Sequence, residues 1–252
     1  MINIYLNPVI DLIGATNYLG EVNPSAEFPN WEAHDSCEAE SIVEFAGRGC
    51  YQSWGRPNPN TATLDGYVGH ILDVGHGSVL EHVTVTLYIQ GVSRALTHEL
   101  VRHRHFGFSQ LSQRFVDEKD FGIVIPPLLV DDEVAVDRLA REGSRALTAY
   151  QDVLERAEIA AHEKGLKGFA ARKASREVAR AVLPNMTETK ITVTGNLRSW
   201  RHFLEVRGSE AADAEIRRLA CTVLPFLRTV APASFQDVHL ADGALTLEHG
   251  SV

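Results

Sequence analysis

Arg102-His103-Arg104-His105-Phe106-Gly107-Phe108-Ser109-Gln110-Leu111-Ser112-Gln113-Arg114-Phe115 is the stretch around which the chain is organised. Five potentially cationic side chains, two serines and two glutamines fall within these fourteen residues, in a chain of 252 residues whose formal net charge is −9. Such a cluster needs an anion, a partner carboxylate or solvent to offset its charge. Guanidinium groups bind phosphate bidentately and stay charged at any working pH, whereas imidazole can hydrogen-bond, stack or carry a proton. The Arg-His-Arg half therefore suits a phosphorylated or dinucleotide ligand. Ser109 to Arg114 offer hydroxyls, amides, backbone N–H groups and a further arginine, a second clamp for a phosphate or a base. The competing reading is a solvated basic helix end neutralised by Glu99, Asp117 and Glu118, and local chemistry alone does not separate the two.

On the N-terminal side, Val92, Leu96 and Leu100 predict a helix capped by Ser93, with Arg94, His98 and Arg102 on a second face and Glu99 and His103 on a third. The quoted stretch then begins as the end of that helix and continues as irregular chain, because Gly107 and the Ser/Gln run resist helix. Before it, Val83, Val85, Leu87 and Ile89 alternate with Thr84, Thr86, Tyr88 and Gln90, the pattern of a half-buried strand. Gly75 to His82 is a tight segment whose glycines permit close approach of a ligand or simply a turn. Further back, a helix from Glu38 to Cys50 is expected to close at Gly47 and Gly49. Arg56 to Asn60 reads as a loop, and a second helix starts from a cap at Thr61 or Thr63 and carries Leu64, Tyr67, Val68, Ile71 and Leu72. Residues 2 to 6 read as a short strand, and the thirty after Pro8 lack clear periodicity.

On the C-terminal side, residues 122 to 130 read as extended, and a long helix is expected from Glu133 to Lys164. Another from Phe169 to Val182 would turn Ala171, Ala174, Val178 and Ala181 inward, with Arg172, Arg176 and Arg180 beside them. Thr187 to Thr194 alternate as a strand. Asn196 can cap a helix bearing Trp200, Phe203 and Leu204, with Arg207 at the edge of the apolar face and Gly208 ending it; Trp200 and Phe203 read as core. A helix from about Ala211 to Arg228 and a loose tail from Ala241 to Val252 complete the chain, which is expected to be one domain over residues 1–240.

Hydrophobic residues make up 44% of the sequence, enough for a sizeable core. The acidic balance argues against general binding to duplex nucleic acid or acidic membrane, and no apolar run is long enough for a membrane span. Three cysteines, Cys37, Cys50 and Cys221, form no close pair, which fits a reducing cytoplasm and suggests no cysteine metal site.

Arg102-His103-Arg104, seven residues, Ser112 and then Arg114 resemble the signature of the flavin-dependent thymidylate synthases. Upstream, His76-Gly77-Ser78-Val79-Leu80-Glu81-His82 resembles that family's His-x-Ser/Thr-x-x-Glu-His segment. Downstream, Arg176 to Arg180 before Leu183-Pro184, then Asn196-Leu197-Arg198-Ser199 and Leu204-Glu205-Val206-Arg207, follow in the family's order, so the likeness spans about residues 38 to 237. Gly107, Phe108 and Phe115 depart from it, standing where a serine and two tyrosines are common. The resemblance implies an α+β fold with a central, mostly antiparallel sheet flanked by helices, assembled as a homotetramer with sites shared between subunits. It implies reductive methylation of dUMP to dTMP, with methylenetetrahydrofolate as carbon donor, FAD as bound redox carrier and NADPH as reductant. By likeness, Ser78, Glu81, Arg102, His103, Arg104, His105, Asn196, Arg198 and His202 would hold FAD, with His76 beside the flavin where folate stacks. Glu99, Gln110, Leu111, Ser112, Gln113, Arg114, Arg180 and Arg207 would hold dUMP, Ser112 and Arg207 serving catalysis.

Two other functions compete. Arg102 to Arg114, with Phe106 and Phe108 as stacking platforms, could make a single-stranded nucleic-acid-binding module, against which the net charge weighs. A histidine-ligated metal hydrolase would draw on His76, His82, His98, His103 and His105, but no metal-ligand spacing supports it.

Overall fold

A computed structural model of the chain describes residues 2–20, 38–55 and 58–250; Cys37, Arg56 and Pro57 lie outside them. In chain order the elements are β1 (Asn3–Tyr5), β2 (Val9–Ala15), α1 (Glu38–Tyr51), α2 (Leu64–Asp73), β3 (Thr84–Ser93), α3 (Arg94–Leu100), β4 (Gly107–Gln110), β5 (Gly122–Val124), α4 (Glu133–Glu163), α5 (Gly168–Ala179), β6 (Glu188–Asn196), α6 (Leu197–Gly208), α7 (Ala214–Val230), β7 (Val238–Ala241) and β8 (Ala244–Leu247). Strands β2, β3, β6 and β4 hydrogen-bond in that order, β1 pairs parallel with β5, and β7 pairs antiparallel with β8. This is the mixed α+β class with an antiparallel sheet that the sequence predicts.

The chain divides into two compact units. The first comprises Met1–Val9, Ile89–Arg102 and Phe108–Thr192. Its core is Ile2, Phe121, Ile123 and Ile125, against which Leu139 and Leu147 of α4 and Met186 pack. Asp132 starts α4 by accepting from the backbone N–H groups of Val134 and Ala135, both at 3.0 Å. Ser93 starts α3 in the same way, its hydroxyl accepting from Leu96 N–H at 3.0 Å. Helix α5 buries Ala171, Ser175 and Ala179. The expected inward stripe of Ala174, Val178 and Ala181 is thereby corrected by one position, and Val178 is exposed. Small residues at i, i+4 and i+8, rather than the largest aliphatic one, face the packing surface.

The second unit comprises Ile10–Tyr88, His103–Gly107 and Val193–Val252. Val85 and Leu87 of β3 and Trp200, Phe203 and Leu204 of α6 are fully buried. The Trp200 indole donates to Val85 C=O at 3.2 Å. Thr63 caps α2 through Gly66 N–H. Helix α1 runs through Gly47 and Gly49 to Tyr51 instead of closing there. Gly47 is a packing position: a Cβ on it would run into the Tyr67 hydroxyl. Arg201 is fully buried and donates to both Asp237 carboxylate oxygens, at 2.7 and 2.9 Å, and to the carbonyls of Ser234 and His249.

Three elements differ from the sequence expectation. Strand β2 sits where no periodicity is visible, because Val9 and Ile13 are exposed beside buried Ile10 and no clean alternation results. Strand β4 replaces the irregular chain after Arg102, since residues that resist helix still accept an extended ladder. The segment from Ala241, expected to be a loose tail, pairs as the β7–β8 hairpin around Asp242 and Gly243, both at positive φ.

Candidate active site

The quoted stretch leaves α3 at Leu100, turns through residues 101–106, and enters β4 at Gly107. Arg102 closes the first unit's share of this turn, and His103 opens the second's.

In the first unit, α3 and β4 line a cleft of about 620 Å³ with Arg94, Thr97, His98, Glu99, Gln110 and Asn185 around it. Gln110 donates from its amide to the Thr97 hydroxyl at 2.9 Å. Arg94 donates to Gln113 Oε1 at 2.9 Å, with longer bonds to Leu111 C=O at 3.4 Å and the Thr189 hydroxyl at 3.3 Å. Burial lowers the Arg94 pKa, the charge of Glu118 opposing that shift. Arg94 is the residue sequence reasoning missed: it was visible only as one member of a basic face, and its partner Thr189 lies ninety-five residues away. Leu111 N–H donates to Lys190 C=O at 2.9 Å, and Ser112 C=O accepts from Phe115 and Val116 N–H at 3.1 and 2.9 Å. Gln113 is buried. Arg114 approaches Glu177 of α5 at 3.8 Å, and Arg180 is exposed in the turn after α5. Of the residues expected to hold dUMP, Glu99 and Gln110 line the cleft, while Leu111 and Gln113 bind the arginine that lines it.

In the second unit, Arg207 Nε donates to His103 Nε2 at 3.0 Å. A nitrogen that accepts carries no proton, so His103 is neutral with its hydrogen on Nδ1. Burial pushes its pKa down to about 4, and the charges of Arg207 and His202 add to that. His103 is thus not one of the stretch's cations. His202 stands edge-on to it, with ring centroids 5.9 Å apart. Arg198 pairs with Glu81 at 2.6 Å, with both side chains partly exposed. Asn196 caps α6, its carbonyl oxygen accepting from the Ser199 N–H and hydroxyl at 2.8 Å each. His76 is exposed and stacks on Tyr51, with centroids 5.9 Å apart and planes at 13°. Ser78 is exposed in the 3-10 turn Gly77–His82, and Arg104 and His105 are exposed in the turn before β4. The unit therefore brings together His103, His202 and Arg207, and separately Glu81 and Arg198.

At the three departures, a Cβ on Gly107 would meet nothing nearer than Thr194 at 3.9 Å, so this position has room for a serine. Phe108 is half-buried. Phe115 stacks on Phe169 at 6.0 Å, with the Lys173 ammonium 5.4 Å from its ring centre, so its ring rather than a hydroxyl is engaged. Phe106, which the nucleic-acid reading needs as a platform, is buried against Trp200 at 4.5 Å. Among the described residues no group of three or more His, Cys, Asp or Glu could hold a metal, and no helix is long and apolar enough to cross a membrane.

The family model for thymidylate synthase complementing protein matches residues 34–233. A flavin-dependent thymidylate synthase of Mycobacterium avium (strain 104) is 50% identical over 232 residues, covering 92% of this chain and 90% of the relative. One from Mycobacterium tuberculosis (strain ATCC 25618 / H37Rv) is 53% identical over 212 residues, covering 83% and 84%. In fold the chain resembles the crystal structure of a UMP/dUMP methylase, PolB, from Streptomyces cacaoi bound with 5-Br dUMP. The TM-score is 0.65, the identity 18%, and the coverage 93% of this chain and 96% of that one.

Proposed function

The chain belongs to the thymidylate synthase complementing protein family, and from that premise we propose how its residues carry the reductive methylation of dUMP to dTMP. It is a flavin-dependent thymidylate synthase, with FAD as cofactor and methylenetetrahydrofolate and NADPH as co-substrates. The observation that carries the reading is the cleft beside α3 and β4, whose Arg94, Glu99 and Gln110 offer one cation, one carboxylate and one amide to a nucleotide.

The residues of the second unit fit FAD in chemical type. Neutral His103 keeps an N–H donor, exposed Arg104, His105 and His202 offer charge and ring edges, and the Arg198–Glu81 pair supplies a donor array with its own counter-charge. These residues, with Ser78, Arg102 and Asn196, would hold the cofactor, and His76 would offer a ring to the folate. The flavin, when bound, supplies the redox chemistry that moves electrons onto the new carbon.

The protein's own task is to bind and polarise the pyrimidine. Uracil C5 is a weak nucleophile, so electron density has to be pushed onto it. Cys50 is exposed, and burial raises the Cys221 thiol pKa, so Cys221 is not an activated thiolate. Arg207, which donates to His103 Nε2, carries a positive charge that would stabilise charge developing on the ring. Glu99, Gln110, Leu111, Ser112, Gln113, Arg114 and Arg180 would complete the nucleotide site. The assembly is a homotetramer and works in the cytoplasm, where nucleotides are made.

The test is to purify the protein, record its visible spectrum, and follow NADPH oxidation and dTMP formation with dUMP and methylenetetrahydrofolate. Flavin absorbance and dTMP are expected. Arg207→Ala should depress turnover and weaken dUMP while flavin stays bound; unchanged dTMP formation would remove Arg207 from the mechanism. A colourless protein with strongly salt-dependent oligonucleotide binding would overturn the whole reading.

A further inference from the structure

We propose that Arg176 of α5 is a positioning residue for dUMP: it staples the loop after β4, which carries Ser112, Gln113 and Arg114, and so fixes one wall of the nucleotide cleft. The proposal rests on the assignment of dUMP to that cleft, and Arg176 acts there through the loop, without touching the nucleotide. By pattern alone Arg176 is one of three arginines on a stripe of α5, and family likeness singles out Arg180. The structure separates them. Arg180 is exposed, whereas the Arg176 side chain is 21% exposed and turned onto the loop. Its Nη1 donates to Phe115 C=O at 2.6 Å, and its Nη2 pairs with the Asp117 carboxylate at 3.7 Å.

The loop leaves β4 at Gln110, which lines the cleft, and is tied at its start by Leu111 N–H to Lys190 C=O. It then turns on Ser112 C=O, which accepts from Phe115 and Val116 N–H. Those two bonds set the shape of the turn but not where it lies. Gln113 travels with it, and its Oε1 accepts from Arg94 of the cleft at 2.9 Å, so a shift of the turn reaches the nucleotide's surroundings. The far end is fixed from two helices. From α5, Arg176 makes a charge-assisted bond to the Phe115 carbonyl, the stronger kind, and balances Asp117. From α4, the buried Tyr150 hydroxyl donates to Asp117 Oδ1 and accepts from Glu118 N–H, both at 3.3 Å. A guanidinium presents two nitrogens to two acceptors in a fixed plane, whereas a lysine ammonium is a point charge on a flexible stem. The staple therefore depends on the fork and not on the charge alone.

The test uses the flavin-loaded protein at pH 8, above the value of about 7 to which burial pushes the Glu118 carboxyl at the loop's end, so that the loop's charge is the same in every variant. Hydrogen exchange of residues 111–118 is measured beside KM and kcat for dUMP. Arg176→Ala should exchange faster over 111–118 and raise the KM about tenfold, the worth of one hydrogen bond from a charged group, with kcat lowered less. Arg176→Lys should recover only part of that loss. Tyr150→Phe, an uncharged change on the other helix, should open the same residues and raise the KM about threefold. In the double variant the two losses should fall short of additive, because both release one loop. If Arg176→Ala does not fold, Arg176→Lys and Tyr150→Phe decide. A KM unchanged in all variants would overturn the positioning role. So would a raised KM with 111–118 exchanging as in the wild type, which would put Arg176 on the nucleotide itself. A wild type that does not bind dUMP would overturn the cleft assignment and this role with it, an outcome distinct from variants that leave dUMP binding intact.

Discussion

Above neutral pH the Glu118 carboxylate works against folding. In the unfolded chain it releases its proton around 4.5, in the folded protein only around 7. Between those values the unfolded state has lost the proton and the folded state keeps it, so stability falls as pH rises through the window and stays reduced above it. The shift corresponds to roughly 3 kcal/mol. Glu118→Gln should accordingly be more stable than the wild type at pH 8 by up to that amount, with the difference vanishing near pH 4.5, as measured by urea unfolding at the two values. Equal stability at pH 8 would show that the carboxylate is solvated after all. The sequence names Gln113 and Glu118, but the first as a ligand of dUMP and the second as a neutraliser of exposed charge. Their burial depends on chain that arrives from Thr189 and Tyr150, and no local pattern reports it.

At the level of elements, local chemistry decides most of what can be read. The caps at Thr63, Ser93 and Asn196 act where the sequence puts them, and β3 buries every second side chain from Val85 to Ile89. What is illegible is set by neighbours. The short strand β4 forms next to β6, and the hairpin β7–β8 needs only a two-residue turn. Gly47 illustrates the limit: propensity reads it as a stop, whereas the helix continues and uses the missing side chain to admit Tyr67. Tyr67 cannot easily yield, because it is buried and the Arg48 guanidinium lies 4.4 Å from its ring centre. Gly47→Ala gains about 1 kcal/mol of helix propensity but overpacks this contact by about 1–3 kcal/mol. The net outcome should be a lower denaturation midpoint; a raised midpoint would mean that Tyr67 moves aside freely.

For the whole molecule, the end of the chain is structural. Burial alone would raise the Asp237 pKa, but the hydrogen bonds and charge of Arg201, with the hydrogen bonds of His249, hold it below the ordinary carboxylate value. The stability it contributes is present above about pH 4 and is lost as pH falls through its folded value. A chain ending at Ala241 would lose the His249 carbonyl that accepts from Arg201 at 2.9 Å, and Leu245, which packs on Gly208. Its Tm should fall by on the order of 5–10 °C, which calorimetry would detect; an unchanged Tm would make the hairpin dispensable. The division into units carries a consequence for how the protein is born. Neither unit is a continuous stretch: the chain passes from one to the other after Val9, Tyr88, Arg102, Gly107 and Thr192. A ribosome therefore cannot finish one before beginning the other, and the first is incomplete until Thr192 has emerged. Contacts so distant along the chain slow folding and leave strand edges open meanwhile, so the nascent protein should depend on chaperones and fold largely after release.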